Sequence, residues 1–149
     1  VIELIRERTL QSDCLKGFVL DGFPRTVPQG EALEELLGSL GRKITSVVLF
    51  SISESSLVER LTGRRTCSSC GTMFHVKFQP PKAEGICDSC GGRLIQRSDD
   101  SLEVIQKRLK VFNEQTAPLE GFYRERGVLS VIDASLSPEN VFGQLEQLT

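Results

Sequence analysis

A pair of Cys-x-x-Cys-Gly turns constrains the fold of this chain more than any other feature. Cys67 and Cys70 form the first pair, Cys87 and Cys90 form the second, and sixteen residues separate the pairs. This spacing is typical of a site in which four thiolates surround one metal ion. The glycine after each pair accepts the positive φ that the chain reversal requires. Four thiolates favour Zn²⁺, with iron as the alternative, and a site closed by four protein ligands is structural.

Cysteine use and composition indicate a reducing compartment. Redox-active dithiols are the alternative role for the two pairs, but their matched spacing favours a metal. The fifth cysteine, Cys14, is expected to be a small buried apolar side chain. No apolar run approaches the roughly 20 residues of a membrane span, and no secretory signal pattern occurs. We therefore expect a cytoplasmic protein, and the net charge of −2 argues against general binding to nucleic acid.

Outside the cysteine segment, short apolar runs alternate with amphipathic stretches. The apolar runs predict buried parallel strands at residues 17–21, 46–50 and 128–133. Strands that alternate with helices predict an α/β fold, in which a parallel sheet carries helices on both faces. The cysteine segment interrupts this pattern. We expect a core part at 1–62, an inserted zinc-binding module at 63–97, which is either a nucleic-acid-binding ribbon or a lid on an enzyme, and a second core part at 98–149.

The amphipathic stretches predict five helices. The first covers residues 1–11, and the second runs from Pro28 to Gly38 or Gly41. The third follows a cap at Ser53. The fourth begins at about residue 100 and is kinked or restarted at Pro118, and the fifth follows Ser137. For the last helix we expect one buried face, formed by Val141, Phe142, Leu145 and Leu148.

Charged residues cluster at the ends of these elements. Asp21 ends the first predicted strand, where a carboxylate can order Mg²⁺, and Arg25 follows in the next loop. Arg60 and Arg64 are four residues apart and share one helical face. The ordinary role of any single arginine is a solvated surface charge. Several arginines around one module, with Arg97 at its exit and Arg108 three helical turns further on, suit a polyphosphate ligand.

Five segments together resemble the adenylate kinase family, in its long form with a zinc-binding lid. They are Asp21–Thr26 with Gln29, Gly63–Arg65, Arg97–Asp100, Lys107–Leu109 and Thr116–Leu119. The resemblance implies a three-layer fold of the P-loop kinase type. It also implies Mg²⁺-dependent, reversible transfer of the γ-phosphoryl group of ATP to AMP, which gives two ADP. The implied protein is a monomer that binds ATP, AMP and ADP but neither nucleic acid nor membranes.

The resemblance also implies residue roles for AMP binding and catalysis. AMP would be bound by Gly22, Arg25, Gln29, Arg97 and Arg108, with Arg25 on its phosphate and Gln29 at its adenine. The catalytic group would comprise Arg64, Arg97, Arg108 and the Mg²⁺-ordering Asp21.

A second set of implied roles concerns ATP. Arg60 would lie against the purine and Arg64 would reach the phosphates from the lid. Phe74, with His75 beside it, would lie near the nucleotide, and Ala134 would border the adenine. His75 is not needed as a metal ligand, because four cysteines are present. Apart from the role that the resemblance implies, we expect the His75 side chain to be exposed and polar.

One segment that the family needs does not occur. The sequence contains no Gly-x-x-x-x-Gly-Lys-Ser/Thr phosphate loop, and it begins with Val1 inside a helical pattern. The resemblance implies about 60 upstream residues, or two strand–helix units, with one strand between the strand ending at Asp21 and the strand Val47–Phe50. We therefore expect the 149-residue chain alone to fold incompletely and to lack kinase activity, because strand edges would stay unpaired.

Two other functions remain open at this point. A zinc ribbon that binds nucleic acid predicts a basic surface with stacking aromatics, but Cys67–Cys90 holds only two lysines and two phenylalanines. The second is an inactive regulatory protein on a kinase fold. Retention of Asp21, Arg25, Arg64, Arg97 and Arg108 argues against it for the parent sequence, though not for the 149-residue chain alone. For Asp99 and Asp100, where the lid rejoins the core, we expect either pairing with lid arginines or helix capping.

Overall fold

The computed structural model describes residues 1–148, which form a mixed α/β protein. They group into two compact units. The first contains Val1–Phe50, Val111–Ile132 and the chain from Pro138 onward, and the second contains Ser51–Lys110 and Asp133–Ser137. The division of the chain into 1–62, 63–97 and 98–149 stays a prediction.

Six α-helices and five strands are found within residues 1–148. The helices are α1 (Ile2–Thr9), α2 (Val27–Ser39), α3 (Glu54–Thr62), α4 (Leu102–Val111), α5 (Pro118–Glu125) and α6 (Pro138–Glu146). The strands are β1 (Val47–Ser51), β2 (Arg64–Cys67), β3 (Met73–His75), β4 (Leu94–Ile95) and β5 (Leu129–Asp133). None of the described helices is both long enough and apolar enough to cross a membrane.

Helix α2 organises the packing of the first unit. The Thr26 side chain caps it by accepting a hydrogen bond from the Gln29 backbone N–H, and proline occupies its first turn as predicted. Its buried leucines include Leu33, which is 2% exposed, and the helix contacts both α1 and α5. A Cβ at Gly30 would lie 3.1 Å from a ring atom of Phe122. Glycine therefore allows α2 and α5 to approach closely.

Strands β1 and β5 form a two-stranded parallel sheet, which confirms two of the three predicted strands. The Val47 N–H donates to the Val128 carbonyl oxygen across 2.8 Å, where both strands begin. Ile132 is 2% exposed, but Phe50 is 50% exposed. Val131 in β5 is 52% exposed as well, so the prediction that these strands are buried throughout is wrong for both.

The predicted strand at residues 17–21 is also wrong. The structure has no strand there, and the Val19 side chain is 93% exposed. An apolar run becomes a strand only when a neighbouring strand accepts its backbone hydrogen bonds. No described segment pairs with this run, so its β-type composition has no effect on the local structure.

The helices were predicted more reliably than the faces that they bury. Ser53 caps α3 by accepting a hydrogen bond from the Ser56 backbone N–H, as expected. Helix α6 begins at Pro138 as predicted, but none of its described side chains is buried and Phe142 is 60% exposed. The expected buried face of Val141, Phe142, Leu145 and Leu148 is therefore wrong, because no described neighbour covers it.

The restart at Pro118 takes the form of a π-helical turn. Phe112–Thr116 separates α4 from α5, and the Ala117 N–H bonds to the Phe112 carbonyl oxygen five residues back. Proline lacks the N–H that would continue a regular helix, so the wider turn ends α4 and Pro118 begins α5.

The cysteine segment forms a small antiparallel sheet in the second unit. Strand β2 lies in the centre, with β3 on one side and β4 on the other. Arg65 faces Phe74 and Thr66 faces Ile95 in the two registers. The buried side chains are few and half of them are cysteines: Cys67, Phe74, Cys87 and Leu94. A cluster this small contributes little apolar burial, and a metal held by its cysteines is the kind of group that stabilises such a segment.

Candidate functional site

The four paired cysteines meet at one point, as the spacing predicted. Their sulfur atoms all lie within 4.8 Å of one another. Cys67 Sγ and Cys90 Sγ are 3.5 Å apart, and Cys70 Sγ and Cys87 Sγ are 3.6 Å apart. Tetrahedral zinc with Zn–S bonds of about 2.3 Å places its sulfur ligands about 3.8 Å apart. The cysteines are thiols rather than disulfides, and their arrangement fits a zinc ion.

Two equivalent turns present these sulfur atoms. The Gly71 N–H bonds to the Cys67 carbonyl oxygen at 3.0 Å, and the Gly91 N–H bonds to the Cys87 carbonyl oxygen at 2.8 Å. Both glycines have positive φ, 75° and 71°. The expectation that glycine permits each chain reversal is therefore confirmed.

Hydrogen bonding shifts the acidities of the cysteines in opposite directions. The Thr72 hydroxyl and backbone N–H lower the pKa of the Cys70 thiol to about 6. The pKa of Cys67 is also lowered, chiefly by the backbone N–H of Cys70. The Gly92 backbone N–H lowers the pKa of Cys90, but the neighbouring Cys70 and Cys67 sulfurs outweigh it and raise that pKa to about 12. Without a cation, the cluster therefore holds its last proton more tightly than an isolated thiol does, and metal binding to four thiolates would release that proton.

The fifth cysteine lies apart from the cluster. Cys14 belongs to a short 3₁₀ turn of the first unit and is 5% exposed, which confirms the expected buried position. The Arg8 guanidinium donates to its sulfur at 3.1 Å and also pairs with Asp13.

The residues proposed for AMP in the first unit lie in one tight loop. Gly22 has a φ of 70°, and its carbonyl oxygen accepts a hydrogen bond from Arg25 Nε at 2.8 Å. The Arg25 backbone N–H donates to Gln29 Oε1 at 2.8 Å. The Thr116 hydroxyl donates to the Arg25 carbonyl oxygen at 2.9 Å, across 91 positions of sequence. The loop is thereby fixed from both sides, and Thr116 is a supporting residue whose contact the sequence did not indicate.

Asp21 precedes this loop and is exposed. Because residues 17–21 do not form a strand, its expected position at a strand end is not observed. Its role in ordering Mg²⁺ stays a prediction.

Two residues proposed for ATP are in direct contact in the second unit. Arg60 Nη1 donates to the Ala134 carbonyl oxygen at 2.7 Å, and Arg60 Nη2 donates to the Ser135 carbonyl oxygen at 3.4 Å. Arg60 also lines a shallow cleft of about 170 Å³. The other residues around this cleft come from the lid segment: Arg64, Met73, Phe74, His75 and Gln79.

Arg64 is held by a buried carboxylate. Its Nε donates to Asp100 Oδ2 at 2.8 Å and its Nη2 donates to Asp100 Oδ1 at 2.5 Å. The Asp100 side chain is 0% exposed, whereas that of Arg64 is 26% exposed. Hydrogen bonding to Asp100 raises the pKa of the Arg64 guanidinium. Of the two expectations for Asp100, pairing with a lid arginine is confirmed, and its side chain is not engaged in helix capping.

The two remaining arginines of the proposed catalytic group differ in their contacts. Arg108 Nη1 lies 3.7 Å from Asp99 Oδ2, in a half-exposed ion pair on α4. The Arg97 side chain is exposed, and its carbonyl oxygen accepts from the Asp100 N–H at 3.1 Å. Both belong to the second unit, and Gly22, Arg25 and Gln29 belong to the first. A common AMP site for these five residues stays a prediction.

The lid aromatic residues have well-defined structural environments. Phe74 is 7% exposed inside the lid core, so its burial does not favour the predicted nucleotide contact. The ring of His75 stacks on Phe78 with centroids 4.4 Å apart. His75 Nδ1 accepts the backbone N–H groups of Lys77 and Phe78, and Nε2 donates to the Glu59 carbonyl oxygen at 3.2 Å. His75 is therefore half-buried and fully hydrogen-bonded, and the expectation of an exposed polar residue is wrong.

Sequence reasoning missed Gln96, which joins the two chain segments at the base of the lid. Its amide Nε2 donates to the Thr62 carbonyl oxygen at 3.1 Å and to the Asp100 carbonyl oxygen at 3.0 Å. No motif marks this residue. Its position directly before the arginine and aspartates at 97–100 is the only signal that the sequence offers.

Comparison with known proteins gives a consistent result. Residues 1–128 match the family model described as adenylate kinase. That match covers most of the chain.

The chain belongs to the adenylate kinase family. An adenylate kinase of Carboxydothermus hydrogenoformans is 51% identical over 146 residues, which are 98% of this chain and 68% of the relative. One of Caldicellulosiruptor saccharolyticus is 52% identical over 87% of this chain and 60% of the relative. One of Geobacter sulfurreducens is 47% identical over 99% of this chain and 68% of the relative. The chain thus spans about three fifths to two thirds of the length of these adenylate kinases.

Family membership identifies the sequence as that of a nucleoside monophosphate kinase. Nothing in the comparisons points to the nucleic-acid-binding or inactive regulatory alternatives.

Proposed function

We propose that this protein transfers the γ-phosphoryl group of MgATP to AMP, reversibly, giving two ADP. Membership of the adenylate kinase family supports the reaction class. The observation that carries the proposal is the cleft that Arg60 and Arg64 line together. Two guanidinium groups at one cleft suit a polyphosphate ligand, because each offers several donors in a fixed plane.

On this proposal, Arg60 and Ala134 form the ATP side of the site and Arg64 reaches its phosphates. The Arg60 contact with the Ala134 carbonyl oxygen supports a shared role for these two residues. Gly22, Arg25 and Gln29 bind AMP, and the hydrogen bonds that fix their loop support a pre-formed acceptor site.

Phosphoryl transfer requires the enzyme to position the substrates and to neutralise their negative charge, and it requires little covalent catalysis. The acceptor is an anionic phosphate oxygen of AMP, so no side chain has to remove a proton from it. Arginines stabilise the charge that spreads over the transferred group. We assign this work to Arg64, Arg97 and Arg108, and we assign the ordering of the magnesium of MgATP to Asp21.

We further propose that the cluster of Cys67, Cys70, Cys87 and Cys90 holds zinc, whose role when bound is to cross-link the lid. The sulfur distances support zinc over a disulfide. Four thiols also favour a reducing compartment, and we propose the cytoplasm. The monomeric state that the resemblance implies stays a prediction.

The test is a coupled assay of ADP formation by the full natural polypeptide that carries this chain. We expect MgATP and AMP to give two ADP. We expect CMP or UMP to be a poor substitute for AMP, because Gln29 would contact the adenine base. We expect Arg25→Met to raise the KM for AMP at least tenfold and to leave the KM for ATP nearly unchanged. Absence of ADP formation from MgATP and AMP would overturn the proposal.

A further inference from the structure

The backbone of Arg25 is held on both of its hydrogen-bonding groups, and the two partners come from different elements of the first unit. Its N–H donates to Gln29 Oε1 at 2.8 Å, in the first turn of α2. Its carbonyl oxygen accepts a hydrogen bond of 2.9 Å from the Thr116 hydroxyl, at the end of the π-helical turn. Gln29 is itself proposed to bind AMP, whereas the proposed reaction gives no role to Thr116 or to the Thr116–Leu119 segment that it opens.

These two backbone contacts also determine where the Arg25 side chain points. Because the peptide units on either side of a residue are planar, fixing its N–H and its carbonyl group fixes both φ and ψ. The direction in which the side chain leaves the backbone is then fixed as well. Within the loop, Arg25 Nε donates to the Gly22 carbonyl oxygen at 2.8 Å. A guanidinium has five N–H groups, so the four on Nη1 and Nη2 can still engage an oxyanion.

Thr116 is attached to a rigid part of the first unit. It ends the π-helical turn, which the hydrogen bond from the Ala117 N–H to the Phe112 carbonyl oxygen closes at 2.9 Å, and α5 begins two residues later. Helix α5 packs closely on α2, where a Cβ at Gly30 would lie 3.1 Å from Phe122. The hydroxyl of Thr116 therefore ties the loop before α2 to the helix on which α2 packs.

We propose that Thr116 is a positioning residue for AMP, whose hydroxyl holds the Arg25 backbone so that the Arg25 guanidinium is directed at the phosphate of AMP. This inference rests on the proposed function for the role of Arg25. Thr116 does not touch AMP itself. Its contribution is pre-organisation of the acceptor site, which lowers the conformational cost of binding. Loss of the hydroxyl therefore raises the KM for AMP and leaves the KM for ATP nearly unchanged.

The experiment is steady-state kinetics of the full natural polypeptide with the variants Thr116→Val and Thr116→Ser. We expect Thr116→Val to raise the KM for AMP about three- to tenfold, the usual effect of one hydrogen bond. The KM for ATP and kcat should change less than about twofold, because the lost contact acts on binding of AMP alone. Thr116→Ser retains a hydroxyl and should return the KM for AMP to near its original value. An unchanged KM for AMP in Thr116→Val, or no recovery in Thr116→Ser, would overturn the inference.

Two further variants test the route by which Thr116 acts. Thr45→Val is the matched control, because Thr45 is an exposed threonine of the same unit, and we expect it to leave the KM for both substrates unchanged. In an Arg25→Met background, Thr116→Val should raise the KM for AMP no further, since its effect passes through Arg25. Effects on this KM that multiply would contradict that route and overturn the inference.

A second measurement does not depend on kinase activity. In hydrogen exchange followed by NMR, the Arg25 backbone N–H should exchange slowly, because Gln29 Oε1 accepts it. Thr116→Val should speed this exchange, because release of the Arg25 carbonyl oxygen loosens the loop, and Thr45→Val should not.

The Ala117 N–H provides the internal reference for this measurement, because it bonds within the π-helical turn. Its exchange should be the same in Thr116→Val and in the unchanged protein. Faster exchange of both amides would show that Thr116 supports the turn itself and would overturn the inference. The expected exchange pattern in a protein that forms no ADP would instead refute the proposed function alone.

Discussion

Arg60 donates a hydrogen bond of 2.7 Å to the carbonyl oxygen of Ala134, although 74 positions of sequence separate the two residues. Arg60 lies in the last turn of α3, and Ala134 follows directly after β5. The contact brings the end of a helix to the end of a strand. Both residues were expected to contact ATP, and their direct hydrogen bond joins them into one local structure.

We expect Arg60→Met to raise the KM for ATP on the order of tenfold, which corresponds to about 1.4 kcal/mol of binding free energy. Methionine retains an apolar stem against the purine but cannot donate to the Ala134 carbonyl oxygen. The measurement is steady-state kinetics of the full natural polypeptide with each substrate varied in turn. Arg124→Met is the control, because among residues 1–148 Arg124 forms an ion pair only with Glu120, on the surface of α5. An equal rise in the KM for AMP would argue against a role specific to ATP.

Purified protein should contain one zinc ion per chain, and Cys67→Ser should lower both the zinc content and the melting temperature. The lid core holds few apolar side chains, and cysteines supply half of the cluster that contains Phe74 and Leu94. Loss of one thiolate therefore removes stability that the core cannot replace. The measurements are elemental analysis and thermal unfolding with and without a chelator.

Cys14→Ala provides the matched control for the metal. Cys14 is buried in the first unit and is not one of the four clustered cysteines. Its zinc content should stay at one ion per chain. Iron instead of zinc would correct the identity of the metal, whereas full zinc content in Cys67→Ser would exclude Cys67 as a ligand.

We expect Gly63→Ala to destabilise the protein by about 1–3 kcal/mol, the usual cost of overpacking. A Cβ at this position would lie 2.3 Å from His75 Nε2. The His75 ring is fixed by its hydrogen bonds to Glu59, Lys77 and Phe78, so it cannot turn away without losing them. Denaturant unfolding measures the change.

Gly121→Ala is the comparison for Gly63→Ala. Gly121 lies within α5, and a Cβ there meets no atom within 4 Å. Alanine is the better helix former, so this change should leave stability equal or raise it by about 1 kcal/mol. A second check is Gly63→Ala in a His75→Ala background, where most of the destabilisation should vanish because the clashing ring is absent.

We expect Tyr123→Phe to leave the free energy of unfolding unchanged or to raise it by roughly 1 kcal/mol. A buried polar group without a hydrogen-bond partner lowers that free energy by about this much or more. Tyr123 is 2% exposed, and its hydroxyl finds no hydrogen-bond partner among the described residues. Denaturant unfolding at neutral pH is the measurement. A clear loss of stability would show that the hydroxyl has a favourable partner.

The same residue predicts a dependence on alkaline pH. Burial, followed by the charge of Glu34, raises the pKa of Tyr123 above its ordinary value of 10.0. The folded protein therefore holds this proton more tightly than the unfolded chain does. The resulting stability is complete below about pH 10 and is lost as the pH rises from there through the folded pKa. The chain has a single tyrosine, so the absorbance of tyrosinate reports this titration directly.

The metal cluster was predictable because its signal is local. Two Cys-x-x-Cys-Gly turns set the positions of four sulfur atoms almost independently of the remaining fold, and Gly71 and Gly91 adopt the positive φ that was expected. The cap at Ser53 was equally accessible, because a cap is a contact between residues three positions apart. The cap at Thr26 forms in the same way, although only Pro28 was expected to mark the start of α2.

Contacts that depend on partners distant in sequence were not predictable. The apolar run at 17–21 has the composition of a strand, but Val19 is exposed because no described segment pairs with it. Phe142 follows the helical period of a buried face and is exposed for the same reason. Periodicity shows which side of an element is apolar, and only a neighbour decides whether that side is covered.

By itself, the sequence determined the metal-binding turns, the starts of α3 and α6, two of the three predicted strands and the set of arginines that indicates a nucleotide kinase. The tertiary structure alone decided which of these side chains are in contact. Asp99 and Asp100 are adjacent and chemically identical, yet one is half-exposed beside Arg108 and the other is buried beneath Arg64. The path of the chain as it leaves the lid decides this difference. The residue type cannot reveal it, because both residues are aspartate.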